Sequence, residues 1–525
     1  MGELDFRLVD AANGNEVWKG RTSAPAEWAP ASESARVLDF SAFTGTGVFR
    51  LEVPGAATSL NFNIGPGVYA PLRDAALKAY YFNRASTALT EPLAGIWARP
   101  AGHPDTRVVV HASAAGPRRQ AGDVISAPKG WYDAGDHNKY VVNSGISTHT
   151  LLAAWEHFPA QFASQKTGTP ESGNGLPDLL NEVLWNLEWL LAMQDPDDGG
   201  VYHKLTNLSF DGTVMPHRAT GERYVVQKST AAALNFAATL AQASRVFAAF
   251  EAQKPGLSAR MLATARLAWG WAQRNPNRIY QQPADVQTGE YGDSQLRDEF
   301  AWAAAELYIS TREDGFWTAM QAQQLPNISP SWMDVGALAW SSLAHHRHQL
   351  TPAADTALIE QRARGLAESL AAQWQASSYR VSMQRGDFVW GSNSVALNQG
   401  MMLIQGYRIS QQAQHLAAAQ AALDYVLGRN ALGHSMVTGF GERSPRHPHH
   451  RQSEADTVAA PVPGFVVGGP NPGRQDARDC PVPYPATQDA KAYLDHYCSY
   501  ASNEVAINWN APLVYLSAAL QALTR

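Results

Sequence analysis

The pattern of apolar and polar positions changes period once along the chain. In Val48-Phe-Arg-Leu-Glu-Val53, Phe49, Leu51 and Val53 alternate with Arg50 and Glu52, the period of a strand with one apolar and one wet face. Leu4 to Val9 and Val37 to Phe40 give shorter versions between Gly, Asn, Pro and Ser breakers. The spacing predicts a small β-sandwich over residues 1–66.

After Gly65-Pro-Gly67 the apolar residues recur at helical spacing, and about twelve such segments follow over residues 67–525. The clearest runs from Pro177 to Met193, where Leu179, Leu180, Val183, Leu184, Leu187, Leu190 and Leu191 form one broad stripe. The others begin near Pro71, Tyr140, Lys228, Leu257, Ser294, Gly315, Ser331, Pro352, Asn393, Gln411 and Glu504. No strands are expected among them. A solenoid would show a repeat of fixed period, and the chain has none, so the helices are expected to close into a double ring. Long Gly- and Pro-rich connections, at about 98–138, 195–227 and 430–503, place function on the loops of that ring.

Composition narrows the function. The 525 residues are 45% hydrophobic and 17% charged, as in an ordinary globular protein, and no apolar run is long enough to span a bilayer. A formal net charge of -6 without Lys/Arg clusters gives no footprint for nucleic acid. The start, Met1-Gly-Glu-Leu4, lacks the basic and apolar regions of a secretory signal. Cys480 and Cys498 are equally consistent with one disulfide and with two thiols.

Four features carry chemistry. Gly130-Trp-Tyr-Asp-Ala-Gly-Asp-His-Asn-Lys-Tyr140 sets Asp133 and Asp136 three apart in a glycine-containing turn before a helix. Two carboxylates so placed can hold and deprotonate one water, although a helix N-cap or a calcium loop would use the same residues. In Asn503-Glu-Val-Ala-Ile-Asn-Trp-Asn510, Glu504 is expected at the start of the last helix. There the macrodipole favours its ionised form, so an acid role needs burial or repulsion from Asp495 or from the Asp133/Asp136 pair. His449 and Arg451, in the loop Gly439 to Arg451, are donors suited to sugar hydroxyls; a solvated basic loop is the alternative. Of sixteen tryptophans, most belong to the core, whereas Trp332 and Trp390 lie at helix starts or in loops where a sugar face can stack.

Taken together, Lys129 to Tyr140, Pro445-Arg-His-Pro-His-His-Arg451 and Asp495 to Ile507 resemble glycoside hydrolase family 9, the cellulases, in the subgroup preceded by an immunoglobulin-like domain. The resemblance covers almost the whole chain. It implies an (α/α)6 barrel and inverting hydrolysis of β-1,4-glucan, with Asp136 as base, Asp133 as its partner in holding water, and Glu504 as acid. Asp495 matches a supporting carboxylate, and His449, Arg451, His203, Tyr132, Trp332 and Trp390 match sugar contacts. No cofactor is needed for the chemistry. Structural Ca2+ is implied at Ser294, Asp298, Glu299 and Asp334, which first-turn helix charges would explain equally well. A cysteine-based zinc site known in some relatives is not expected, since no cysteine precedes Cys480. A monomer acting on polysaccharide outside the cytoplasm is the implied setting. An exo-acting enzyme on oligosaccharides, with the segment Ala459 to Tyr493 blocking one end of the cleft, and a non-catalytic glucan-binding protein are the alternatives.

Overall fold

The computed structural model describes residues 2–524. Its N-terminal part contains strands β1 (Asp5–Asp10), β2 (Glu16–Arg21), β3 (Ala26–Trp28), β4 (Glu33–Ala35), β5 (Gly47–Val53), β6 (Ala57–Thr58) and β7 (Phe62–Ile64). Five of them make an antiparallel sheet in the order β2-β1-β5-β6, with β7 also on β5, and β3 pairs with β4. Leu8 stands opposite both Trp18 and Leu51, and Phe6, Leu8, Val9 and Phe49 are buried. The strand expected at Val37 to Phe40 is not there. A left-handed Ser32 closes the β3–β4 hairpin just upstream, and Val37 instead exchanges single bonds with Ser23, donating to its Oγ at 3.0 Å and accepting from its N–H at 2.9 Å.

Twelve helices of eight or more residues follow among the described residues. They are α1 (Ala70–Phe82), α2 (Val141–His157), α3 (Asp178–Ala192), α4 (Thr230–Phe247), α5 (Leu257–Arg274), α6 (Arg297–Thr311), α7 (Asp314–Gln321), α8 (Gly336–His346), α9 (Thr356–Ala376), α10 (Ser392–Ser410), α11 (Ala413–Val426) and α12 (Ile507–Leu523). The even-numbered helices pack in a closed ring, α2, α4, α6, α8, α10, α12 and back to α2, while the odd-numbered ones pack outside them. This is an (α/α)6 barrel. Inner helices are surrounded by protein, so α4 is buried at every position except Arg245, as expected for a helix apolar all round.

The barrel also carries strands that helical periodicity does not reveal. Strands β8 (Val108–Val110), β9 (Val124–Ile125), β10 (Lys139–Tyr140), β11 (Lys204–Thr206) and β12 (Tyr224–Val225) form a sheet in the order β10-β11-β12-β8-β9, drawn from two of the long connections. Runs of two or three residues are too short to show a period. Their pairing anchors these loops to the start of α2.

Cys480 and Cys498 are joined as a disulfide. No helix among the described residues is long and apolar enough to cross a membrane.

The N-terminal sheet is fastened to the barrel by Trp28. Its ring lies 4.4 Å from that of Tyr379 and 5.9 Å from that of Phe388, and Trp28 is buried within the barrel's own core cluster. Glu33 adds an ion pair to Lys491 at 2.5 Å and accepts from the Tyr379 hydroxyl. Trp18 packs edge-on against Phe43. Trp28→Ala should cost about 3 to 5 kcal/mol, the usual loss for a buried large aromatic. A thermal melt should show this as a lowered Tm, with turnover of a short soluble oligosaccharide per folded molecule unchanged.

Candidate active site

Three chain segments meet at the turn from Asp133 to Asp136. The backbone N–H of Asp133 bonds to Asn138 O at 3.0 Å, and Asp133 O accepts from Ile507 N at 2.9 Å, which ties the turn to the first residue of α12. Gly135 N donates to Glu504 Oε1 at 3.3 Å, and Gly135 O accepts from Arg451 N at 3.1 Å and from an Arg451 guanidinium nitrogen at 2.8 Å. His449 and Glu504 form a parallel bridge, with His449 N donating to Asn503 O at 2.8 Å. A Cβ on residue 135 would lie 2.3 Å from His449 O and 3.2 Å from Glu504 Oε1, so glycine is required here by the close approach of backbones.

Both aspartates of the turn are buried and individually oriented. Asp133 Oδ1 accepts from Asn143 Nδ2 at 2.8 Å and its Oδ2 from the Tyr291 hydroxyl at 2.7 Å. Asp136 Oδ2 accepts from Asn138 Nδ2 at 2.5 Å and from the Tyr140 hydroxyl at 3.1 Å. The Tyr140 oxygen is itself fixed by the N–H of Gly289, also at 3.1 Å. Burial, and then the charge of Asp136, pushes the Asp133 carboxyl up to about 8. Glu504 is likewise pushed up to about 8 by burial first and by Asp136 second, with Arg451 opposing. Asp133 and Glu504 therefore both favour their protonated forms near neutrality, with Asp136 the neighbouring carboxylate common to the two.

Glu504 does not open the last helix as expected. It caps the four-residue helix Tyr500–Asn503 with extended backbone, φ -69 and ψ 156, and α12 begins only at Ile507. The reason is local pairing: Gly468 N donates to Glu504 O at 2.9 Å, and Val505 bridges to Val467. No helix N-terminus is aimed at the carboxyl, which removes the expected opposition of the macrodipole. Asp495 is also not the group that repels Glu504. Its carboxylate accepts from the N–H of Arg446 at 2.8 Å, the N–H of His447 at 3.0 Å and Asn503 Nδ2 at 3.1 Å, so it shapes the loop that carries His449.

The expected sugar contacts divide. His449 has its Nδ1 engaged by Tyr497 O at 2.6 Å, and burial pushes its pKa down to about 4, so it is a neutral ring with Nε2 free. Trp390, 41% exposed, lies 5.4 Å from Tyr500, which is 6.0 Å from His449, and His449 stacks on Tyr497 at 4.8 Å. Trp332 meets Tyr291 edge-on at 4.9 Å, on the Asp133 side. The structure places His203 and Tyr132 away from that role. His203 is fully buried, stacked on Tyr280 at 3.9 Å, with Nδ1 bonded to Ser229 Oγ at 2.8 Å and Nε2 to Glu290 O at 2.9 Å, leaving no nitrogen for a sugar. Tyr132 is fully buried and its hydroxyl bonds to His103 Nδ1 at 2.8 Å. Arg451 spends Nε on Asp211 O at 3.0 Å, besides its bonds to Gly135 O, and so first braces the turn. Tyr140 and Tyr291, which orient the two aspartates, escaped sequence reasoning. Tyr140 stood in the quoted motif, whereas Tyr291 carried no local signal.

Asp298, Glu299 and Asp334 do converge, joined by an unexpected Asp293, while Ser294 is exposed and can offer only its backbone oxygen. Asp298 Oδ2 accepts from Val335 N at 2.8 Å and Asp334 Oδ1 from Gly336 N at 3.1 Å. Both Glu299 carboxyl oxygens and Asp293 Oδ2 are buried without a hydrogen-bond partner. Burial raises all four carboxyls, Asp298 to about 6, and neighbouring carboxylates add repulsion at Asp293, Asp298 and Glu299. Hard anionic oxygens crowded in this way fit a Ca2+ ion.

A barrel of paired helical rings with three carboxyl groups gathered on its loops is an arrangement suited to glycoside hydrolysis. Residues 69–517 match Glycosyl hydrolase family 9 and residues 2–58 match the Cellulase N-terminal ig-like domain; the chain belongs to glycoside hydrolase family 9. It is 43% identical to Xyloglucan-specific endo-beta-1,4-glucanase BoGH9A of Bacteroides ovatus, over 99% of this chain and 90% of that one. It is 31% identical to Endoglucanase D of Acetivibrio thermocellus, over 92% of this chain and 74% of that one. Among solved structures, a Bacteroides ovatus GH9 superposes with a TM-score of 0.93 at 41% identity, covering 100% of this chain and 95% of that one. The GH family 9 endoglucanase J30 gives 0.91 at 30%, covering 99% and 96%.

Gly135→Ala should displace Glu504 against the aspartate turn. A shift of about 1 Å costs on the order of 100-fold in rate, so kcat should fall by about that factor while far-UV dichroism shows the barrel intact.

Proposed function

We propose that the chain is an endo-acting β-1,4-glucanase that works by inversion, with Asp136 as general base, Asp133 as its partner in holding water, and Glu504 as general acid. The observation that supports this most directly is the gathering of the three carboxyls around Gly135: Glu504 holds its proton near neutral pH because it is buried and because Asp136 stands close, as an acid–base pair requires. Inversion needs the two carboxyls about 6.5 to 9.5 Å apart with water between. The aromatic run through Trp390, Tyr500, His449 and Tyr497 and the separate Trp332 offer faces for several successive sugars, which favours a long glucan over a single terminal residue. A binding-only protein would have no use for the three coupled carboxyls.

Xyloglucan is the leading natural substrate, because the 43% identical relative of almost equal length is named for it. A polymer of this size is met outside the cytoplasm, and the disulfide between Cys480 and Cys498 suits that oxidising setting. Ca2+ held by Asp293, Asp298, Glu299 and Asp334 serves structure. Its ligands lie two residues from Tyr291 and from Trp332, so the ion steadies two residues of the site.

Asp136→Asn and Glu504→Gln should each lower kcat by at least about 10²-fold, on xyloglucan and on unbranched β-1,4-glucan alike. Glu504→Gln should recover on a substrate whose leaving group needs no proton. Proton NMR of the first product should show the α-anomer; a β-anomer would overturn inversion. An early fall in polymer viscosity checks endo action. In the wild type, kcat should hold up to about pH 8 and fall above it, since the acid works only while protonated and its pKa is pushed up to about 8. That alkaline limb should be absent with the activated substrate.

Removing calcium with a chelator should lower Tm, and Ca2+ should restore it better than Mg2+, because the carboxylate cluster suits a larger ion with flexible coordination. A melt unchanged by chelation would remove the ion from this reading.

A further inference from the structure

Directly behind the Asp136 turn, His103, His137 and Asp211 come together from three segments distant in sequence. Each supplies one ligand-type atom, and the three atoms lie within 4.8 Å of one another. Two of the three side chains are buried and incompletely used. His137 is 1% exposed and neither of its ring nitrogens has a hydrogen-bond partner; His103 is 5% exposed and its Nε2 has none, Nδ1 being taken by Tyr132. The contact between His137 Nδ1 and Asp211 Oδ2, 3.6 Å, is too long for a hydrogen bond.

Three idle ring nitrogens in one buried place call for an explanation, because a buried polar atom without a partner costs about 1 to 3 kcal/mol. We propose that His103, His137 and Asp211 form a three-ligand site for a zinc-class divalent cation, with the fourth position open to water. Bond lengths of about 2.0 to 2.2 Å to nitrogen and oxygen set tetrahedral ligand atoms about 3.3 Å apart. The separations here are within reach of that by side-chain movements of about an ångström. Mixed imidazole and carboxylate ligands suit zinc, where an all-oxygen set would suit calcium. His103 Nδ1 is held by the Tyr132 hydroxyl, the outer contact that fixes the orientation of a ligating ring. Burial pushes both histidines down, so they are the neutral rings that a metal needs.

Nearby cations do not fill the place. Lys139 and Arg223 are both paired with Asp105, at 2.7 and 3.2 Å, and Arg451 is bonded to Gly135 O and Asp211 O. Asp211 is therefore the one acidic side chain directed at the two imidazoles. A bound ion clamps the base-bearing turn, through His137, to the loop of Asp211 and to the left-handed residue His103, whose φ is 46. No cysteine takes part, and Cys480 and Cys498 are occupied with each other.

The full chain, stripped with chelator and then saturated with Ca2+ so that the carboxylate cluster is filled, is titrated with Zn2+ without reductant. One equivalent should bind by calorimetry and raise Tm. Co2+ should give tetrahedral d–d bands without a thiolate charge-transfer band. Asp211→Asn, at a partly exposed loop position, and His137→Ala should each lose the equivalent, with affinity reduced at least about tenfold, and the Tm rise should vanish with it. Cys480→Ser should keep both. Failure to bind one equivalent, an equivalent that survives Asp211→Asn with native dichroism, or a thiolate band would each overturn the site.

Discussion

The arrangement of the site depends on one close approach, that of Gly135 to the backbone of His449 and the carboxyl of Glu504. The turn and two segments more than three hundred residues further along the chain are brought within hydrogen-bond distance there, and nothing larger than hydrogen fits between them. Because Glu504 Oε1 takes its bond from Gly135 N, the proposed acid is referenced to the backbone of the turn that bears the proposed base. Arg451 then closes the loop by holding Gly135 O. The relative position of the two carboxyls is thus set by main chain, which moves less than side chain, and the helical ring has only to hold the roots of the loops.

Crowding is the second consequence. Burial, and after it the charge of Asp136, disfavours the ionised forms of Asp133 and Glu504. An exposed glutamate near 4.3 would have surrendered its proton at neutral pH. The same physics appears in the cluster of Asp293, Asp298, Glu299 and Asp334, with a different resolution. At Glu504 burial and repulsion retain a proton near neutrality, whereas in the second cluster they accompany carboxyl oxygens of Asp293 and Glu299 that are buried without a hydrogen-bond partner. Tyr291 and Trp332 link the two, since each stands two residues from a member of the acidic cluster and one bonds Asp133.

Much of this was legible in the sequence, and the reasons differ by element. Helices such as α3 announce themselves by a Leu stripe at helical spacing, although loops and neighbours leave none of its residues exposed. Even the fully buried inner helices were found, since they are long and bounded by Gly, Pro and polar breakers. Strands β8 to β12 were invisible because two or three residues carry no period, and their pairing is decided by partners up to a hundred residues away. The error at Glu504 has the same origin: helical spacing in Leu513, Leu516 and Leu520 was extended backwards over residues that pair with 466–468 instead. His203 and Tyr132 show the limit of motif reasoning. A motif fixes which residues stand near a site, but whether a ring nitrogen or hydroxyl is free is settled by Ser229, Glu290 and His103, which no motif contains.

The inner ring is packed on all sides, and Gly135 admits no side chain, so the reacting centre cannot drift without loss of the fold's closest contacts. The segment from Ala459 to Tyr493 divides in two: residues 467–468 pair with the backbone of 504–505, whereas the later part is tethered by the Cys480–Cys498 link and the Lys491–Glu33 pair, and Gln475 O accepts from the Tyr500 hydroxyl. The glycine-centred knot is thus braced from two sides, by Arg451 on Gly135 O and by residues 467–468 on the main chain of 504–505.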